Sequence, residues 1–155
     1  MNDRYLFRAK RTDNGEWVEG FLVETRHNTY HDGYRIIDKN GINYDELDYY
    51  EPSFISYVID KTTICQCTGL KDKNGKLIWE NDVVKKEFYT DYDAFANSEE
   101  YIGVVKYEDC AWCVSYKRDG YKCSSPIFMA MEYHDAEHFE VIGNIFDEGS
   151  DNIGK

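Results

Sequence analysis

"GLKDKNGKLIWENDVV", Gly69–Val84, sets an Asn-Gly pair between two apolar stretches, then a tryptophan, then Glu80 and Asp82. Three readings compete: a catalytic loop, a calcium loop, or the corner of a small β-domain. An EF-hand loop needs oxygen ligands at positions 1, 3 and 5, glycine at 6 and glutamate at 12. Counting from Asp72, position 5 is Lys76 and position 6 is Leu77. A cation stands at a ligand position and the glycine is missing, which leaves the corner. Asp72 can cap such a corner through the nearby backbone, and Asn74-Gly75 fixes the register of the flanking strands. Trp79 then shares a face with Leu77, and Asp82 is placed to tie down the chain as it enters the next strand.

The same punctuation recurs along the chain. Asn14-Gly15 and Asn40-Gly41 repeat the pair, and Asp32-Gly33 and Asp119-Gly120 vary it. Tight two-residue hairpins need positive φ at both central positions, which Asn, Asp and Gly tolerate best. Five such pairs between alternating segments predict antiparallel sheet. "RYLFRAKR" (4–11) places Tyr5, Phe7 and Ala9 on one face and Arg4, Leu6, Arg8 and Lys10 on the other. "EWVEGFLV" (16–23) places Trp17, Phe21 and Val23 together, and "YRIID" (34–38) reads as a short strand. "YDELDYYEP" (44–52) is acidic, ends in Pro52 and marks a boundary between two halves. "DVVKKEFY" (82–89), "YIGVVKYE" (101–108), "AWCVSYKR" (111–118) and "FEVIGNIF" (139–146) form a compact meander. The polar stretch 90–100 is a loop, and 124–138 is ambiguous between helix and strand.

The expected fold is therefore mainly β: a small SH3-like barrel with an N-terminal β-hairpin and meander extension. Closing a short-stranded sheet removes its exposed edges. The expected divisions are 1–60 for the extension, 61–147 for the barrel and 148–155 for a frayed tail. Val84, Val104, Trp112, Val114, Val141 and Ile145 are the expected barrel interior.

Composition agrees. Of 155 residues, 42% are hydrophobic and 16% aromatic, enough for a core and rich in side chains that suit a pleated face. The formal charge is −12, and the acid is spread through both halves. So acidic a chain repels nucleic acid unless a local basic patch dominates. Arg4, Arg8, Lys10 and Arg11 are the nearest approach to one, and on a strand Arg4, Arg8 and Lys10 share a face. Direct nucleic-acid binding is not expected. No apolar run approaches the ~20 residues of a membrane helix, and "MNDRYLFRAK" has no apolar leader core. The expectation is a cytoplasmic protein without a membrane partner.

Chemistry-bearing residues are present without a constellation. Cys65, Cys67, Cys110, Cys113 and Cys123 are odd in number, a poor disulfide framework. Cys65-x-Cys67 with Cys110-x-x-Cys113 supplies four thiols for zinc, but on a flat strand a C-x-C pair is spread too widely to converge without a turn. Buried or idle thiols are the simpler reading. His134 and His138 would chelate from a helix, with Glu132, Asp135 and Glu137 nearby, but His-Glu-x-x-His is absent. No nucleophile elbow, phosphate loop or dinucleotide fingerprint occurs. Asp45, Glu46 and Asp48, or Glu99 and Glu100, are acid pairs without positional information. No catalytic, cofactor-binding or metal-ligating residue is assigned, and no cofactor is expected.

The residues 62–85, "TTICQCTGLKDKNGKLIWENDVVK", followed by "GVVKYE" (103–108) and "FEVIGNIFDE" (139–148), resemble the YopX family of phage and prophage proteins. "FRAKRTDNGEWVEGFLV" (7–23) resembles that family's opening. The central block Gln66-x-Thr68-Gly69-Leu70-Lys71-Asp72-Lys73-Asn74-Gly75-Lys76 carries most of the resemblance, and Glu140–Ile145 supports it. Three positions depart: Cys67 stands for an aromatic, Asn81 for a glycine, and Cys110 near a turn glycine. Asn81 can take the left-handed backbone that glycine takes; Cys110 implies a turn of different shape. The resemblance implies an SH3-type barrel with a β extension, a phage or prophage origin in a bacterial host cell, and oligomerisation. It implies no established activity.

Three functions follow as expectations. The preferred one is a noncatalytic module that assembles with copies of itself and binds a host or phage protein. The second is an acidic decoy for a host nucleic-acid-binding protein, and the third is a metal-dependent enzyme.

Overall fold

Phe7, Ala9, Val18, Leu22 and Ile36 sit at alternate positions of three successive segments, and alternation of this kind buries one face of a sheet. A computed structural model of the chain describes residues 3–25, 33–43, 53–88, 99–118, 121–127 and 138–147. Two compact units divide it, Met1–Cys67 and Thr68–Lys155. Strands dominate both, arranged in antiparallel sheets, with short 3-10 turns at Asp3–Tyr5 and Lys61–Thr63.

The first unit contains β1 (Phe7–Lys10), β2 (Trp17–Thr25), β3 (Gly33–Asn43), β4 (Ser53–Val58) and the start of β5 (Cys65–Lys71), in the order β4-β3-β2-β1-β5. The register sets Ala9 opposite Val18 and Leu22 opposite Ile36. Ala9, Ile36 and Ile59 are buried on this inner face, with Phe7, Val18 and Leu22 packed against them. Trp17, Phe21 and Val23 do share a face, and it is the opposite, outer one. "RYLFRAKR" is not one continuous strand. Arg4 and Tyr5 belong to the first 3-10 turn, Tyr5 is 59% exposed, and Leu6 is buried. Asn40-Gly41 is no hairpin either. It lies inside β3, where the register against β4 shifts between Ile37 and Ile42, so the pair makes a bulge.

The second unit holds the rest of β5, then β6 (Leu77–Trp79), β7 (Asp82–Phe88), β8 (Glu99–Glu108), β9 (Ala111–Arg118), β10 (Tyr121–Pro126) and β11 (Phe139–Asn144). The last five form one sheet in the order β10-β9-β8-β7-β11. Its core is Ile78, Val84, Val105, Val114, Ile127 and Phe139, with Trp112 and Val141 partly buried against it. Four of the six expected interior residues are thus in place. Val104 is not: it sits opposite Ser115, while Val105 faces Val114 and is fully buried. Ile145 is 36% exposed because it lies in the turn after β11.

Neither sheet closes into a barrel. β10 pairs only with β9 and β11 only with β7 among the described residues. Pro126 ends β10 without an N–H to extend a ladder, and a bulge between Val141 and Gly143 bends β11. The edges are ended and bent rather than joined.

The turns sort by backbone. Asn74-Gly75 is part of a longer corner: Gly75 alone has positive φ (80°), its N–H donates to Asp72 O, and Asp72 N–H donates to Lys76 O. This is a turn ending in a left-handed glycine, the three-residue alternative to the two-residue form. The two-residue form occurs at Asp109-Cys110, where φ is 49° and 63° between the paired Glu108 and Ala111. Arg118 pairs with Tyr121 across 119–120, although those two residues, with Asp32, lie outside the described ones. So do the boundary segment 44–52, most of 124–138, the tail from 148 and the expected loop 90–100 as far as residue 98; its last two residues, Glu99 and Glu100, are not loop but open β8.

Candidate interaction face

The outer face of the first sheet collects side chains that composition scatters. Alternation along β1 puts Arg8 and Lys10 there, opposite Glu19 and Trp17 of β2. The register then carries Phe21 to Ile37 and Val23 to Arg35, and Arg35 to Val58 of β4. Lys39 joins them through an ion pair with Glu19 at 2.7 Å. Among the described residues, four cations and one carboxylate therefore share a face in a chain of net charge −12.

These cations are held in place. The Arg8 guanidinium lies 4.8 Å from the centre of the Trp17 ring and the Lys10 ammonium 5.5 Å from it, contacts worth roughly 0.5–1 kcal/mol each at exposed sites. Arg35 Nε donates to Ser56 Oγ at 3.1 Å. The hydrogen bond to Glu19 holds the Lys39 ammonium above its ordinary pKa. Phe54 and Val58 continue the face on β4, 54% and 47% exposed.

An open groove of about 680 Å³ lies at the end of β1, between the turn at 11–15 and Ile59–Lys61. Its charge is largely satisfied within the chain. Arg11 Nε donates to Asp13 Oδ1 at 2.9 Å, and its guanidinium stacks 4.5 Å from the Tyr57 ring. The hydrogen bond from Arg11 holds the Asp13 carboxyl below its usual range.

In the second unit the acids of the opening stretch hold backbone. Asp72 Oδ1 accepts from the N–H groups of Asn74 and Lys76, and Oδ2 from that of Val141. Burial pushes this carboxyl up, and the three N–H donors outweigh it, so its pKa is lowered. Asp82, fully buried, accepts from Trp79 N–H at 2.9 Å and from Asn144 Nδ2 at 3.1 Å. Thr68 Oγ donates to Ile78 O at 2.8 Å. Glu108 accepts hydroxyl donation from Ser124 at 2.8 Å and, more loosely, from Ser115, which pins β8, β9 and β10 together. The stretch Gly69–Val84 thus closes a corner, with Asp72 and Asp82 both holding backbone N–H groups and Asp82 also holding Asn144.

The other candidates are dispersed. Cys65 and Cys67 are buried at alternate positions of β5; Cys113 is buried on β9, Cys110 exposed in its turn, and Cys123 half-buried. All five are free thiols, and no group of three or more His, Cys, Asp or Glu suited to a metal occurs among the described residues. His138 is exposed; His134, Glu132, Asp135 and Glu137 lie outside the described residues, as do Asp45, Glu46 and Asp48. Glu99 and Glu100 open β8. Of the cation patch, Arg8 and Lys10 share the outer face, Arg4 lies over the Tyr5 ring in the 3-10 turn, and Arg11 lies at the groove. Sequence reading missed Arg35 and Lys39, whose place depends on the β2–β3 register, and Asn144, whose polar side chain closes a strand otherwise read as apolar.

The family model described as YopX protein matches residues 6–150. No curated protein matches the chain. No helix among the described residues is long and apolar enough to cross a membrane.

Proposed function

The chain belongs to the YopX family, and from that premise we propose that it is a noncatalytic interaction module which assembles with a second copy of itself and engages a host or phage protein. Its setting is the cytoplasm of a bacterium carrying a phage or prophage. The order β10-β9-β8-β7-β11, with the last strand returning beside the first of the meander, supports SH3-type connectivity in an open form.

One observation carries the assembly reading. β4, "SFISYV", is an outer strand with no charged residue, and Phe54, Ile55 and Val58 are each at least 40% exposed. Edge strands are normally protected by charge, proline or cover, because their unpaired backbone recruits other strands. Among the described residues, only the end of β4 is tied off, where Thr12 N–H donates to Val58 O and Ile59 bridges Arg11. A two-fold antiparallel pairing centred on Ile55 would bring that side chain against its own copy without opposing charges. Light scattering after size-exclusion chromatography tests this. The chain elutes at a multiple of 18.3 kDa at micromolar concentration and Ile55→Lys elutes as the monomer; a monomeric wild type defeats the reading.

The −12 charge favours a second reading, an acidic decoy for a basic host protein. Retrieval of nucleic-acid-binding proteins from host lysate, lost at high salt, supports it; salt-insensitive retrieval of other proteins counts against it. The third reading, a metal-dependent enzyme, predicts near-stoichiometric zinc, iron or manganese in protein purified without chelator.

A further inference from the structure

We propose that the outer face of the first sheet is a docking surface for an acidic polypeptide segment that alternates carboxylates with aliphatic side chains. This rests on reading the chain as an interaction module, and it concerns a different surface from the β4 edge.

Charge complementarity chooses the occupant. Arg8, Lys10, Arg35 and Lys39 share this face with Trp17, Phe21 and Ile37; Lys39 is exposed, Lys10 and Arg35 half-buried, Arg8 is the most enclosed with its Nε buried, and Glu19 is the one carboxylate among the described residues there. The remainder of the chain is more acidic than the whole, so this is a local reversal of sign. Such a reversal steers an anionic partner to one place. The cations already rest on Trp17, Ser56 and Glu19. Less side-chain entropy is then lost when a carboxylate arrives. A lysine or arginine engaged in one contact still carries further N–H donors for a carboxylate, and the aromatic and aliphatic floor accepts the intervening side chains.

A nucleic acid fits this face less well. Its backbone carries a phosphate at every step, so some phosphate must lie against Glu19. A polypeptide can set an uncharged residue there. Bases also need an open aromatic ring on which to stack, and the Trp17 ring already carries Arg8 and Lys10.

The test is fluorescence anisotropy with a labelled peptide of about eight residues alternating Glu and Val, at low and high salt. The wild type binds at low salt, and affinity falls at least about tenfold both at high salt and in the double variant Lys10→Glu, Lys39→Glu, in keeping with direct charge pairing. Lys117→Glu, an exposed cation on β9, serves as the reference and binds like wild type. Circular dichroism establishes that both variants keep their strands. Equal binding by the double variant and wild type overturns the proposal. So does tighter binding of an oligothymidylate of matched charge, which would assign the face to nucleic acid. So does loss of self-association in the double variant without loss of peptide binding, which would assign it to a second copy. Ile55→Lys leaves peptide binding intact, so failure of the assembly reading and failure of this one are separable.

Discussion

Asn144 and Asp82 meet in the interior of the second unit: Nδ2 of Asn144 donates to Oδ1 of Asp82 at 3.1 Å across 62 residues of chain. The other carboxylate oxygen holds Trp79 N–H, while Asn144 Oδ1 accepts from Phe146 N–H. One buried pair thus fixes the β6–β7 corner to the end of β11. A buried carboxylate that loses a donor keeps its desolvation cost, about 1–3 kcal/mol or more. Asn144→Ala is expected to lower unfolding free energy by about 2 kcal/mol in urea titrations. Asp82→Ala has a comparable effect, and the double variant costs less than the two together. Strict additivity would show that the two side chains do not act as a pair.

Asp72 makes the second unit acid-sensitive. Its folded pKa is depressed, because three backbone N–H donors outweigh burial. A depressed carboxylate contributes stability that is complete above the unfolded value, about 3.9. That contribution is lost as pH falls through the lower, folded value. Asp72→Asn is therefore costly at neutral pH, and the gap between variant and wild type narrows below about pH 4. Thermal melts across pH read this directly; a gap independent of pH would remove Asp72 from the acid transition.

Cys110 holds φ at 63°, a region that costs a side-chain-bearing residue roughly 1–2 kcal/mol. Glycine escapes that strain at some cost in unfolded-state entropy. Cys110→Gly is expected to stabilise by about 0.5–1 kcal/mol, and Cys110→Val to destabilise. Asn81, at the same φ of 63°, gains less from the same change because asparagine tolerates the left-handed backbone. A destabilised Cys110→Gly in chemical denaturation would mean that the thiol itself contributes to the turn.

The strands were legible because alternation and turn dipeptides are local signals. β7, β8, β9 and β11 fall where their quoted segments lie, and the corner at Asp72 forms as its residues dictate. What depends on distant partners was not legible. Asn40-Gly41 has the chemistry of a hairpin, yet β4 pairs on both sides of it and makes it a bulge. Asp109-Cys110 lacks a glycine, yet the β8–β9 register forces the tight two-residue turn there. The outer face was half legible: Arg8 with Lys10, and Trp17 with Phe21, each follow from one strand's alternation. Their union with Arg35 and Lys39 follows only from pairing across three strands.

Val104 and Val105 make that limit measurable. Adjacent valines on a strand point to opposite faces, and sequence alone gives no phase. The phase is set by Gly103 and Val105, which share the face of Val114: a Cβ at Gly103 would lie 2.5 Å from Val114 Cγ1. Val105 is fully buried against Val114 and Ile127, whereas Val104 is only partly buried opposite Ser115. Val105→Ala removes two buried carbons and leaves a cavity, an expected loss of about 2–3 kcal/mol. Val104→Ala is expected to cost less than about 1 kcal/mol. Chemical denaturation of the two variants side by side decides the phase of β8. Equal losses would mean that the strand is covered on both faces, and a larger loss at Val104 would reverse the face assigned to the core.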